Sequence, residues 1–598
     1  FLPLIAWPGV IGGFIKYLPI TVTAVLLSSM ICALIFNPVI GILFGKASTK
    51  DKKEVEKIIA IENAEIDKLS KPLKIYYNLL NLVLDHKGKF ISLIVGSLVF
   101  TVILYSKLNH GMIFFPAMEP DILMVKIKSK EAQSLQEKNQ LVTDVEEVIL
   151  KINHDSKEFK SVYTNVIGNN VNGNIGRITL DLANWQKRRK AAIIQKEIIE
   201  KTNNIKGVLI KVVEEKKGPG AASPIDLRLT TYADYDTLIK TAEKIRDLIE
   251  NDGHFKNVET NLGIPAMEWA IKVDKMRATE RGISMQTIQK YISLATDKLT
   301  IGAFKPSNSP DDIDITVQFP KNYQSISAIK NLIIQTTNGG VPLSSIATII
   351  PQRKNNEITQ INSQLSISIV ADMEGDAKVN DGIKIIENII KENDFSNNIN
   401  MEFKGEAADQ LETQAFLGKA FIISLLLVFL IIAFQFNSYY YTFIIMSAII
   451  LSTTGVLLGL LIAGKPFTMV MCGIGIISLA GIVVNNNIIL IEVYTILVKT
   501  MDRRQAIITA CIGRIRPILI TSGTTIIGLL PMAVGINIDL INRDITYGAP
   551  SGQMWTALAT TISSGLTFAT ILTLFFTPAV LLYERKRKQK SIDEINKD

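Results

Sequence analysis

Residues 429–494 read FLIIAFQFNSYYYTFIIMSAIILSTTGVLLGLLIAGKPFTMVMCGIGIISLAGIVVNNNIILIEVY. Blocks this apolar and this long exceed what a soluble core needs, and a bilayer takes roughly 20 apolar residues per helix. Working outward, runs of that kind recur at 17–44, 90–107, 417–436, 440–463, 467–498, 517–537 and 554–583, so the sequence predicts seven membrane helices. Residues 1–8 read as the tail of another. The bulk figures agree: 598 residues exceed one domain, and 48% are hydrophobic, with mean hydropathy +0.27.

Charge orients the helices. The segment Lys46–Lys89 holds ten lysines, the stretch after Val498 carries Lys499, Arg503, Arg504, Arg514 and Arg516, and the tail reads ERKRKQK. Cytoplasmic placement of all three is consistent with seven crossings and puts residues 108–415 outside. The net charge of +8 is therefore a membrane signature and not a nucleic-acid patch. Segment 53–83 mixes lysines with apolar residues at helical spacing, which fits a helix on the membrane surface or a solvated linker. Phe1 begins inside an apolar run, FLPLIAW, with no basic region and cleavage site before it, so the expectation is a further segment upstream.

The outer stretch alternates elements. A strand at 121–129, a helix at 131–152, strands near 158–165 and 177–183, a helix near 187–203 and a strand near 207–213 give a β-α-β-β-α-β order, the split βαβ pattern. It restarts at 224–231 with helix 233–251, strands near 256–262 and 268–274 and a helix near 284–296. An insertion at 297–350 interrupts it before strand 365–372, helix 376–392 and strand 398–404. The predicted fold is an α-helical membrane bundle plus an outer α+β region of two ferredoxin-like sandwiches, the second split by an inserted subdomain.

Several motifs then resemble the resistance–nodulation–division superfamily, in its drug-exporting, acriflavine-resistance branch. Residues 429–494 resemble its eighth to tenth helices, with the turn Phe434-Gln435-Phe436-Asn437-Ser438 and the motif Gly481 to Asn486. GRIRPILITSGTTIIGLLPMAVG (513–535) is similar to the eleventh helix, and FNPVIGILFGK (36–46) to the end of the sixth. FFPAMEPD (114–121) and GEAADQ (405–410) match the entry to and exit from the outer domain. The resemblance implies the C-terminal half of a proton-driven efflux pump in a bacterial inner membrane. It further implies a homotrimer working on a small-molecule substrate with a periplasmic adaptor and an outer-membrane channel, in contact with membrane lipid. The implied division is 1–46 (the end of one membrane helix and the next), 47–89 (cytoplasmic amphipathic linker), 90–107 (membrane helix), 108–223 (first porter subdomain), 224–296 with 351–415 (second), 297–350 (docking subdomain), 416–583 (five membrane helices) and 584–598 (cytoplasmic tail).

Within the apolar runs the only acid is Glu492, near a cytoplasmic end. A proton pathway needs an ionisable group in the membrane, and the family's proton-carrying aspartates sit on its fourth helix, upstream of Phe1. What this chain offers is their partner set. Asn485 stands where relatives often place a lysine, beside Asn486, and Arg514 and Thr521 match relay positions on the eleventh helix, seven residues apart and so on one face. Each has a structural alternative: interhelical hydrogen bonding for the asparagines, a snorkelling anchor for Arg514, and backbone bonding for Thr521, as for Thr524 and Thr525. The loop at 166–185 resembles the one lining the family's deep substrate pocket, but offers Gly168, Asn169, Asn170, Asn172 and Gly173 where drug exporters place phenylalanines. An ordinary polar turn reads equally well.

No nucleotide motif, nucleophile–base pair or Cys/His zinc spacing occurs, so no cofactor is expected and an enzyme is not. Met118, Met124, Met267, Met276 and Met285 form no cluster suited to copper or silver. A protein-translocation accessory of the same superfamily has a smaller outer domain and fewer helices, which the duplicated sandwiches oppose. A non-transporting remnant is the other alternative.

Overall fold

The computed structural model describes residues 1–44, 71–116, 119–129, 133–167, 173–215, 223–262, 267–296, 298–307, 311–320, 323, 325–336, 339–353, 358–374, 379–393, 395, 398–540 and 543–583. Among them, seven helices are long and apolar enough to cross a membrane: Gly9–Phe44, Lys87–Leu108, Glu406–Phe436, Tyr439–Ile462, Met469–Leu497, Arg503–Val534 and Gly552–Leu581. They are the first to seventh spans below. The third and sixth start well before their apolar runs, at Glu406 and Arg503, because helical hydrogen bonding continues into water while hydropathy marks only the lipid-facing part.

The fourth, fifth and seventh spans form the interior, and the other four are mostly exposed on this chain. Lipid offers no hydrophobic drive for helix association, so close contact has to come from small residues. A Cβ on Gly455 would sit 2.4 Å from the Phe568 Cβ and 2.7 Å from the Ser564 carbonyl oxygen, and one on Gly459 would sit 2.1 Å from the Ser564 Cβ. Gly475 and Gly565 make the same approach to Thr561 and Leu479. These four glycines seat the seventh span between the fourth and fifth. The seventh ends in a π-helical stretch, Leu572–Phe576, before resuming α-helix at Thr577.

The turn between the third and fourth spans uses Asn437 at φ 45°, a left-handed cap that asparagine tolerates. There the Tyr440 hydroxyl donates to the Val580 carbonyl (2.6 Å), and Tyr441 meets Tyr494 edge-on. The helix Lys71–Asp85 buries Tyr76, Leu80, Val83 and Leu84 at the same end of the bundle; the Tyr76 hydroxyl donates to the Leu574 carbonyl (3.0 Å), and Arg504 pairs with Asp85 (2.6 Å). Residues 47–70 of the expected linker, and the expected cytoplasmic tail at 584–598, lie outside the described residues.

Outside the bundle, one antiparallel sheet runs in the order Phe159–Val166, Asn174–Leu182, Ile122–Ser129, Val208–Glu214. Leu123, Val125 and Ile127 alternate into a core shared with the helices Leu135–Ser156 and Ala191–Thr202. A second sheet has Phe255–Thr260, Gln364–Met373, Ile225–Thr231 and Asn400–Lys404 in the same positional order, with Thr359–Ile361 added on the Gln364–Met373 strand. The strand expected at 268–274 is Met267–Val273, but it pairs with Ala347–Arg353 and not with the second sheet. Its residues Ile271 and Val273 share a core with Ile283, Ile288, Ile334 and Leu343, so the inserted body takes in residues read as part of the second sandwich. Alternation marks a strand without naming its partner.

Replacing Gly455 by Val should force the fourth and seventh spans apart and cost about 1–3 kcal/mol. Gly418→Ala, where nothing lies within 4 Å of the new Cβ, should be neutral or stabilising by up to ~1 kcal/mol. Thermal unfolding in neutral detergent distinguishes the two.

Candidate functional site

The fifth span carries Asn485, Asn486 and Asn487 in succession. Neighbours on a helix are rotated by about 100°, so the three amides point three ways. Asn486 faces the sixth span: its Nδ2 donates to the Ser522 Oγ (2.9 Å), and its Oδ1 lies 3.3 Å from the Thr521 Oγ1. Asn487 faces the end of the seventh, where the Thr577 hydroxyl donates to its Oδ1 (2.7 Å) while its Nδ2 donates to the Val483 carbonyl (3.2 Å). Both are buried. Asn485 is exposed, on the side that also bears Gly481 and Glu492.

Of the four expected relay residues, the structure therefore brings two together, Asn486 and Thr521. The Thr521 hydroxyl also lies 3.1 Å from the Pro517 and Ile518 carbonyls. One hydroxyl has one proton to donate, so Thr521 either stays on its own helix or turns to Asn486. Among the described residues, Thr524 and Thr525 bond back to their own helix, at Ile520 and Thr521, the structural alternative for these two. Arg514 and Arg516 are exposed on the sixth span, and among the described residues neither meets a carboxylate. Asn485 and Arg514 thus lie outside the amide–hydroxyl node, on open faces of adjoining helices.

Ser522, Thr577 and Lys465 escape a sequence reading. Ser522 stands beside Thr521 with nothing to single it out. Asn487 and Thr577 are 90 residues apart, and the only local signal is a polar residue in an apolar run. Lys465, in the loop after the fourth span, donates to the Ala533 carbonyl (2.6 Å) and the Thr560 hydroxyl (3.0 Å), where a cation suits the C-terminal end of the sixth helix. Burial holds its ammonium below the ordinary lysine range.

On the proposed substrate loop, Gly168, Asn169, Asn170 and Asn172 lie outside the described residues. Gly173 has φ 74°, and its carbonyl accepts from the Ser129 N–H (2.8 Å), closing the entry to the strand that follows. Among the described residues no three His, Cys, Asp or Glu side chains gather as a metal site would require.

The sequence matches the model of the AcrB/AcrD/AcrF family over residues 1–584. An uncharacterized transporter of Haemophilus influenzae is 26% identical over 427 residues, which cover 68% of this chain and 39% of that protein. The swarming motility protein SwrC of Bacillus subtilis is 23% identical over 604 residues, 99% of this chain and 54% of its own length. Among solved structures, a heavy metal efflux pump matches with a TM-score of 0.69 at 20% identity, over 86% of this chain and 53% of that one. That likeness shows the fold, a helical membrane part with a sheet-containing region. The chain spans 39% and 54% of the two curated relatives.

A double-mutant cycle on Asn487→Leu and Thr577→Val should give a coupling of about 0.5–2 kcal/mol. Each single change should destabilise more than its share of the pair, because it strands a buried polar partner. Additive effects in unfolding measurements would remove the bond from the account.

Proposed function

The chain belongs to the AcrB/AcrD/AcrF family of resistance–nodulation–division transporters, and on that premise we propose that it forms the C-terminal half of a proton-driven exporter of drugs or other amphiphilic small molecules. The observation that carries this reading is the amide–hydroxyl node of Asn486, Thr521 and Ser522, midway along two adjoining spans, with Thr521 itself on an open face as Asn485 and Arg514 are. A neutral amide cannot change charge, but it can pass a hydrogen bond between a switching hydroxyl and a carboxylate. In this proposal the carboxylates come from a helix that packs on the open faces, and Arg514 answers their charge. Their protonation removes Arg514's partner and lets Thr521 choose between Asn486 and the Pro517 carbonyl.

The two sheets with matching strand order act as split-βαβ porter subdomains on the periplasmic side. The body around Met267–Arg353 acts as the docking part. Its hairpin, Leu299–Phe304 with Ile313–Val317, is exposed along its length, including Ile301, Phe304, Ile313 and Ile315. That favours cover by a second copy, as in a homotrimer with a periplasmic adaptor and outer-membrane channel. The Gly/Asn-rich loop up to Gly173 takes the place of the substrate loop.

In an efflux-deficient bacterium co-producing this chain and the half that carries the carboxylates, a lipophilic dye should accumulate several-fold less than in the empty strain. A protonophore should erase the difference. Arg514→Ala should restore accumulation at unchanged membrane abundance, while Arg516→Ala should leave export standing. Export that survives the protonophore ends the proton coupling, and export that survives Arg514→Ala ends the relay role.

A further inference from the structure

The face of the first sheet turned away from its helices carries an unusual row. In register, Lys126 stands directly opposite Arg177 on one neighbouring strand and directly opposite Lys211 on the other. Like charges in direct cross-strand positions destabilise a sheet, and Lys128 adds a fourth cation two residues on. The second sheet approaches this face and supplies one carboxylate, Glu259, whose oxygens lie 2.9 Å from the Lys128 Nζ and 3.5 Å from the Lys211 Nζ. The side chains of Lys128 and Lys211 are each only 14% exposed, so the charges are largely withdrawn from water.

Glu259 serves the flanks of the cluster and not its centre. Among the described residues, no carboxylate lies within ion-pair distance of Lys126. Burial and the neighbouring cations Lys211, Lys128 and Arg177 hold its ammonium below the ordinary lysine range, against the pull of Glu259. A second acid of that sheet, Asp226, bonds to Ser368, and burial pushes its carboxyl above the ordinary range, against the pull of Arg228 and Lys404. Between the sheets, at Lys126 and Lys128, lies a cavity of about 200 Å³, with Glu259, Thr260, Asn261 and Ser368 on its far wall. The Asn261 Oδ1 is tied to the Ser368 N–H (3.0 Å), so the amide NH₂ is the end left to donate.

Among the described residues, four clustered cations have Glu259 as their one paired carboxylate, and two of them, Lys126 and Lys128, line a polar cavity. That matches what an oxyanion requires, N–H donors and a charge surplus in a place shielded from water. We propose that this cavity binds an oxyanion group, a phosphate, sulfate or carboxylate, with Lys126 as its central ligand. Glu259 is then the internal stand-in, which the incoming anion displaces from Lys128 and Lys211. Because those two ion pairs join the sheets, occupancy loosens the contact between them. The site goes beyond the export reading and does not depend on it, since it lies wholly on the outer sheets.

Calorimetry on the whole chain in uncharged detergent, titrated with inorganic phosphate and separately with hexyl phosphate, tests the proposal. Saturable binding is expected, weakened roughly tenfold by Lys126→Gln and tightened by Glu259→Gln, which removes the competitor. The unfolding temperature of Lys126→Gln should equal or exceed that of the parent, because the like-charge row is relieved, and this separates lost ligation from lost fold. Tighter binding of hexyl phosphate identifies the ligand as the head group of an amphiphile, and equal or weaker binding identifies a free anion. No saturable heat with either probe, or Lys126→Gln binding like the parent, overturns the site. Phosphate binding without dye export would count against the export reading alone.

Discussion

Hydrocarbon has no water to satisfy a polar group, and the bundle is arranged around that constraint. Its backbone is satisfied by helices, and among the polar side chains Asn486, Asn487 and the threonines around residue 521 find partners, while the buried hydroxyls of Ser424, Thr454, Ser563 and Thr573 have none among the described residues. Asn486 binds the sixth span and Asn487 the end of the seventh, so one turn of the fifth span ties three helices together. The threonines of the sixth span bond back to their own carbonyls, and Thr521 has a carbonyl and an amide within reach of one proton. That choice of partner is the kind of two-position element a relay needs.

The glycine contacts make those bonds possible. An amide reaches a neighbouring helix only if the backbones lie close, and the approach at Gly455, Gly459, Gly475 and Gly565 sets the position of the seventh span against the fourth and fifth. Shape therefore comes first and polar bonding is fitted into it, consistent with packing as the main term between membrane helices.

The outer region works under the opposite rule, with water available on every side. There polar groups can be exposed at little cost, and a buried cluster of like charge such as the row through Lys126 stands out for that reason. Elsewhere in the same body charges are balanced: Arg188, with a side chain only 1% exposed, holds Glu119 (3.1 Å), and Arg189 is shared between Glu158 and Glu197. The hydrogen bonds from Arg189 outweigh burial and keep the Glu158 carboxyl below the ordinary range.

The amino-acid sequence by itself determined the seven apolar helices, most of their ends to within a few residues though not the starts of the first, third and sixth, and the order of strands and helices in the two outer sandwiches. These are local properties, set by hydropathy, period and turn chemistry within a window of one element. It also named Asn486 and Thr521 among four relay candidates, without showing that these two meet. Only the tertiary structure decided that Asn487 binds Thr577, that Met267–Val273 leaves the second sheet for Ala347–Arg353, and that Arg177, Lys126 and Lys211 stand in one row. Each of those depends on which distant segment lies alongside. Backbone pairing and close packing choose that partner from many sequences of similar pattern, and no local period records the choice.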